Sequence, residues 1–97
     1  MKKIDVTALG ELLIDFTENG SSISGNPLFE ANPGGAPCNV LAMLSKLGKK
    51  TAFIGKVGDD MFGRQLSEAV KSANICTDGL VMDKNVPTTL AFVHTFP

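Results

Sequence analysis

The sequence has little of several residue types that mark particular classes of protein. Its 97 residues include no tryptophan, no tyrosine, one histidine and two cysteines. Two cysteines, Cys38 and Cys76, cannot build a disulfide framework, and no Cys-x-x-Cys pair is present. The single histidine, His94, stands alone in a predicted strand, so we expect neither a metal-binding nor a general-base role for it. These absences exclude a disulfide-stapled scaffold and a zinc module.

A surplus of one charge and a long apolar run are also lacking. Nine basic and ten acidic side chains leave a formal net charge of −1, without the basic surplus typical of nucleic-acid-binding proteins. The longest apolar run, residues 40–44, is far shorter than the roughly 20 residues of a membrane-spanning helix. Asp5 interrupts the apolar stretch that an export signal would need. We therefore expect a cytoplasmic protein with neither a nucleic acid nor a membrane as a partner.

What is present has the balance of a globular domain, with 43% apolar and 20% charged residues. Alternation over residues 4–9, followed by an apolar run over 12–14, predicts a strand that bends at Gly10 and ends at Asp15. Turn-forming residues fill 17–32, which we interpret as short strands on a surface flap. Further strands are predicted at 51–58, 80–82 and 88–95.

Two helices are predicted from apolar spacing and from signals at their ends. The first has Pro37 in its opening turn and Gly48 just past its end. Its predicted buried face consists of Val40, Met43, Leu44 and Leu47. The second is capped by Asp59-Asp60 and can end at Asn74, with an apolar face made of Phe62, Leu66, Ala69, Val70 and Ala73. The order strand, flap, helix, strand, helix, strand predicts a parallel sheet with right-handed crossovers.

Several residues lie where a ligand could bind. Ligands of parallel sheets gather beyond the carboxyl ends of strands, and at such an end the two oxygens of Asp15 could accept hydrogen bonds from a vicinal diol. Gly34 and Gly35 open a helix whose first N–H groups point outward. Asn39, in the first turn, offers a donor and an acceptor. Each also has a structural explanation: a cap or ion-paired acid, a sharp turn, and a helix-start residue bonded to its own backbone.

Other motifs do not indicate a site. The dinucleotide motif G-x-G-x-x-G is absent, and residues 48–51 (GKKT) precede a strand where a phosphate-binding loop precedes a helix. The start of the second helix explains Asp59 and Asp60. Cys38 is close enough to a helix N-terminus to have a lowered pKa, but packing is our interpretation for it and for Cys76.

Together these motifs resemble the N-terminal signature of the ribokinase-like carbohydrate kinases, the PfkB family. The resemblance is carried by residues 34–39, Gly48 and residues 55–63. Residues 9–16 and 88–93 resemble the fructokinase branch in particular. One departure is Leu41, where the family prefers a small residue, and we expect a packing adjustment there.

The resemblance implies an α/β chain in which residues 1–97 form the N-terminal part of one ribokinase-like domain. That part would combine a parallel sheet and crossover helices with a β-strand lid at about 17–32 and 88–95. The implied activity is the ATP-dependent phosphorylation of a sugar, most specifically fructose. The residues implied to bind the sugar are Asp15, Gly34, Gly35 and Asn39, with Phe92 packing against it from the lid.

In such kinases the catalytic aspartate, the anion hole and the nucleotide-binding loops come from a C-terminal portion that residues 1–97 lack. We therefore expect ATP and Mg²⁺ to be bound mainly by that portion, no catalytic residue in this chain, and no catalysis by the chain alone. The alternatives are a kinase for another sugar or a nucleoside, and a non-catalytic module that binds a sugar or a partner. Apolar residues on the lid strands predict a homodimer formed through the lids.

Overall fold

The structure is a computed structural model, and it describes residues 3–93. Within that range the elements are β1 (Val6–Leu9), β2 (Leu13–Ser21), β3 (Pro27–Gly34), α1 (Ala36–Lys46), β4 (Thr51–Gly58), α2 (Met61–Ser72), β5 (Ile75–Asp83) and β6 (Leu90–Val93). The strands divide between two sheets. We call the sheet with the order β1-β4-β5 the body sheet, and the sheet with the order β3-β2-β6 the flap sheet.

The body sheet is parallel throughout. β4 pairs in parallel with β1 on one side and with β5 on the other. The helices α1 and α2 are the crossovers between these strands, which confirms the α/β class predicted from the order of the elements. Phe53 on β4 is fully buried, and the core is completed by Leu12, Ile14, Leu41, Val57, Leu66, Val70 and Ile75.

The flap sheet combines both kinds of pairing. β2 pairs antiparallel with β3 and parallel with β6. The turn between β2 and β3 includes Gly25, whose φ of +85° favours glycine. The predicted flap segment 17–32 therefore lies within this hairpin. The strand predicted at 88–95 begins only at Leu90, and its last residues, including His94, lie outside the described residues.

The N-terminal segment, predicted as one bent strand, forms two strands in different sheets. β1 ends at Leu9, and Gly10 donates its N–H to the carbonyl of Ile54 on β4 at 3.2 Å. The chain then crosses to the flap sheet, so Asp15 is the third residue of β2 and does not end a body strand. Alternation of side chains reports faces within a strand but not which sheet the strand joins, so the pattern could not reveal this crossing.

The buried face of α1 also differs from the prediction. Val40, Met43 and Leu47 are 59%, 66% and 72% exposed, whereas Leu41 is 1% exposed. Because residues 40–44 are all apolar, more than one helix face satisfies the apolar spacing. Leu41, the residue that departs from the PfkB pattern, is thus the residue of α1 that is buried in the core.

The second helix, α2, follows the prediction. Leu66 and Val70 are buried, and Asp60 is its N-cap, accepting the N–H of Gly63 at 2.7 Å. Asn74, just past the helix, has a φ of +61°. Within residues 3–93, no helix has the length and apolar character needed to cross a membrane.

Substitutions on α1 test which of its faces is buried. We expect Leu41→Ala to lower the free energy of unfolding by about 2–5 kcal/mol, because truncating a buried leucine removes contacts and leaves a cavity. Met43→Ala, the matched exposed position, is expected to change it by less than about 0.5 kcal/mol. Urea unfolding followed by circular dichroism measures both. Equal losses at the two positions would contradict the packing of α1.

Candidate functional site

Between residues 3 and 93 the chain crosses between the two sheets three times, and the crossings lie side by side. They are formed by residues 10–12, 34–35 and 84–89. The first and second touch, since a β-carbon on Gly35 would lie 2.7 Å from the carbonyl oxygen of Glu11. The third touches the start of β2, where Ile14 donates its N–H to the carbonyl of Thr89 at 3.0 Å. Three of the predicted site residues, Asp15, Gly34 and Gly35, lie at or beside these crossings.

Asp15 lies directly over Gly34. β2 pairs Asp15 with Asn32 of β3, so its side chain is on the same face of the flap sheet as Asn32 and as Gly34, two residues further on. A β-carbon on Gly34 would collide with the Oδ2 atom of Asp15. Glycine at this position therefore makes room for the carboxylate. The structure brings together the acid and the paired glycines of the predicted site.

Gly35 turns the chain from β3 into α1. Its φ of +133° lies in the region that favours glycine, and it is the N-cap residue of the helix. Pro37 has no N–H to satisfy, and the N–H groups of Ala36 and Cys38 have no partner within the helix. Main-chain donors are thus available from two residues after Gly34, the glycine that the Asp15 carboxylate covers.

Asn39 is exposed in the first turn of α1. Its main-chain N–H donates to the carbonyl of Gly35 at 3.3 Å, which is the expected start of the helix. Asn39 and Gly34 line a cleft of about 100 Å³, open to solvent, whose remaining lining is Leu12, Pro33, Cys38, Ala42, Leu66, Ala69, Val70, Ala73 and Ile75. Asp15 is not part of this lining. Because this cleft is almost wholly apolar, it offers few hydrogen-bonding groups to the hydroxyls of a polyol.

The structure does not bring Phe92 to the face of Asp15. β6 pairs Ala91 with Asp15 and Phe92 with Phe16, and neighbouring residues of a strand point to opposite faces. Phe92 stacks on Phe16 with ring centroids 5.0 Å apart and meets Phe29 edge-on at 5.7 Å. The contact between Phe92 and a sugar, implied by the resemblance, does not follow from this geometry. The face depends on how β6 pairs with β2, which the sequence of β6 alone does not show.

Residues that the prediction missed share the face of Asp15. They are Thr17 and Asn32, joined by a hydrogen bond from Nδ2 of Asn32 to Oγ1 of Thr17 at 3.4 Å, and Ala91 of β6. Thr17 could have been found from the two-residue period of β2, since it follows Asp15 by two positions. Asn32 and Ala91 depend on strand pairing and carry no local signal.

Asp60, explained from the sequence as a helix cap, holds a second partner. Besides the N–H of Gly63, it accepts the hydroxyl of Thr88 at 2.6 Å and the N–H of Thr88 at 3.0 Å. These bonds, with those from Thr88 foremost, lower the pKa of Asp60 from the ordinary 3.8 to about 2. The partner stands 28 residues away in sequence, so no local pattern could have indicated it.

Cys38, in the first turn of α1, is a partly buried free cysteine. Burial raises the pKa of Cys38 to about 11, the opposite of the lowering that a helix N-terminus can cause. Cys38 packs against the core, as predicted. Residues 3–93 hold no group of three or more His, Cys, Asp and Glu side chains placed to bind a metal ion.

A family model and a curated relative match the chain along most of its length. The model of the pfkB family carbohydrate kinases matches residues 3–96. A protein named "Probable fructokinase-7", from Arabidopsis thaliana, is 49% identical over 90 residues, which are 91% of this chain and 26% of that protein.

Solved structures show the same similarity. The fructokinase from Xylella fastidiosa has a TM-score of 0.86 and 36% identity over 94% of this chain and 28% of its own. An uncharacterized sugar kinase from Pyrococcus horikoshii, in complex with ATP, has a TM-score of 0.81 and 42% identity over 91% of this chain and 30% of its own. The chain thus spans about a quarter to a third of the length of these relatives.

The lowered pKa of Asp60 predicts a pH-dependent contribution to stability. Because folding favours the ionised carboxyl, this contribution is complete above about 3.8 and is lost as the pH falls towards about 2. We expect Asp60→Asn to be less stable than the unsubstituted chain near neutral pH, with a deficit that shrinks across that window. Urea unfolding over a pH series measures it, with Asp78→Asn as the control for removing an exposed carboxylate of β5. A deficit independent of pH would count against the bonds to Thr88.

Proposed function

Since the chain belongs to the pfkB family of carbohydrate kinases, we propose that it supplies the sugar-binding part of an ATP-dependent kinase that phosphorylates fructose. The observation that carries the proposal is the carboxylate of Asp15 lying over Gly34, next to the start of α1. Two neighbouring sugar hydroxyls can donate to the two carboxylate oxygens, while main-chain N–H groups of α1 can donate to sugar oxygens. Fructose is the proposed sugar because the matched relatives include proteins named fructokinase.

The charge at the site supports a neutral ligand over an anion. A helix N-terminus alone favours phosphate or carboxylate groups. Here the carboxylate of Asp15 lies over Gly34, the residue that precedes the N-cap Gly35, and it would repel an anion. A polyol, which both donates and accepts hydrogen bonds without a charge, satisfies the carboxylate and the N–H groups together.

The proposed role of these residues is to bind and orient the acceptor hydroxyl. Asp15 with Gly34 and Gly35 would hold the sugar, and Asn39 stays a predicted further contact. The flap sheet would limit the access of water, which competes with the sugar for a phosphoryl group. ATP with Mg²⁺ supplies that group when bound, and phosphoryl transfer then depends on positioning and on electrostatic stabilisation. Binding of Mg²⁺, a cytoplasmic location and a homodimer through the flap strands stay predictions.

A chimera tests the proposal. In it the 97 residues replace the matching part of the Xylella fastidiosa fructokinase, whose remaining chain supplies the rest of the domain. We expect the chimera to phosphorylate D-fructose in preference to D-ribose and to nucleosides, and residues 1–97 alone to show no activity. Release of ADP measures turnover. A folded chimera that prefers ribose or a nucleoside would replace fructose as the substrate, and one that binds sugar without turnover would favour a non-catalytic module.

Within the chimera, Asp15→Asn tests the proposed sugar contact. We expect kcat/KM for fructose to fall by about 10²- to 10⁴-fold, because hydrogen bonds to a charged group are worth about 1.5–3 kcal/mol each and two are weakened. Asp78→Asn, the same chemical change at an exposed position of β5, is expected to alter kcat/KM by less than about threefold. If Asp15→Asn has no more effect than Asp78→Asn, Asp15 does not bind the sugar.

A further inference from the structure

Thr88, in the third crossing, is held from two sides although it belongs to neither sheet. Its side chain is buried, with 5% of the residue exposed. The hydroxyl donates to Oδ1 of Asp60 at 2.6 Å and accepts the N–H of Gly58 at 3.0 Å. The main-chain N–H of Thr88 donates to Oδ2 of Asp60 at 3.0 Å. Both oxygens of one carboxylate thus bind one threonine.

Two glycines make room for this contact. A β-carbon on Gly58 would collide with the main-chain nitrogen of Thr88 and lie 2.6 Å from Oδ2 of Asp60. A β-carbon on Gly63 would collide with the carbonyl oxygen of Gly58 and lie 3.1 Å from Oγ1 of Thr88. The sequence Gly-Asp-Asp-Met-Phe-Gly at 58–63, which the sugar site does not explain, is therefore shaped to receive the third crossing.

The same crossing continues to the sugar site. The carbonyl of Thr89 accepts the N–H of Ile14, the residue before Asp15. Two residues later, Ala91 of β6 pairs with Asp15 itself. Two sets of hydrogen bonds, joined by the backbone between Thr88 and Thr89, thus connect the start of α2 to the strand that carries Asp15.

We propose that Asp60 is a positioning residue for the sugar site, which holds Thr88 and so fixes β6 against β2 at Asp15. The inference rests on the proposed function of Asp15 as a sugar ligand. Capping α2 requires only the bond from Gly63, so the two bonds to Thr88 are additional to the cap. The lowered pKa of Asp60 agrees with this role, because the carboxylate is ionised near neutral pH and accepts both bonds.

Substitutions separate the link, meaning the two bonds between Asp60 and Thr88, from the cap of α2. Thr88→Val removes the hydroxyl, keeps the shape and leaves the cap intact, and Thr88→Ser restores the hydroxyl. Asp60→Ser retains a capping oxygen on a side chain too short to reach Thr88. Thr7→Val is the matched control, because it makes the same change at an exposed position of β1, outside this connection.

Two measurements on the full 97-residue chain test the proposal: hydrogen exchange of the Ile14 amide by NMR, and the dissociation constant for D-fructose by calorimetry. For Thr88→Val and Asp60→Ser we expect exchange at Ile14 to accelerate, and fructose binding to weaken, by about tenfold or more. Thr88→Ser and Thr7→Val are expected to stay within about threefold on both. The double variant Asp60→Ser/Thr88→Val is expected to exchange no faster and bind fructose no more weakly than either single variant, since both substitutions break the same link.

Other results would overturn the positioning role. If Ile14 exchange and fructose binding are unchanged in Thr88→Val, the link does not position Asp15. If the amide of Leu66 in α2 accelerates as much as that of Ile14, Thr88 acts on the stability of the whole fold. If the unsubstituted chain binds no fructose while Ile14 exchange still responds to Thr88→Val, the link to β6 stands, whereas the sugar site and the positioning role that rests on it fail.

Discussion

The carboxylate of Asp15 occupies space that any side chain on Gly34 would need, and the arrangement of the site depends on this close approach. It requires β2 and β3 to pair in the register that places Asp15 opposite Asn32. It also places the acid next to Gly35, which turns the chain into α1. A negative charge, a paired-strand backbone and a helix start are thereby joined within one short stretch of surface.

The two faces of the flap sheet have different roles. One face carries Phe16, whose ring meets Phe62 of α2 edge-on at 5.4 Å and stacks on Phe92. This aromatic contact attaches the flap sheet to the body. The opposite face carries Asp15 with Thr17 and Asn32 and takes no part in those aromatic contacts. Alternation along β2 therefore separates the residues that attach the sheet from those of the proposed sugar site.

Local patterns predicted the parts of the molecule that depend on near neighbours. The buried face of α2, its cap at Asp60 and the glycine after α1 all follow from spacing and end signals. The proximity of Asp15 to Gly34 was also expected, although the reason differs: Asp15 lies within β2 of the flap sheet, where it was placed at the end of a body strand. The face of Phe92 and the bond between Asp60 and Thr88 depend on strand pairing and on contacts between distant residues, which periodicity does not report. On α1 the pattern failed because a run of apolar residues satisfies several faces.

The chain belongs to the pfkB family, and it covers about a quarter of a curated relative. We propose that the site described here binds the acceptor of a phosphoryl group. A crystal structure of the chimera with D-fructose would show whether Asp15 and the paired glycines hold one sugar. We predict two adjacent hydroxyl oxygens within hydrogen-bonding distance of the Asp15 carboxylate, and the same sugar in contact with the main chain of Gly34 and Gly35. A sugar bound away from Asp15, with that carboxylate bonded only to protein, would contradict the site.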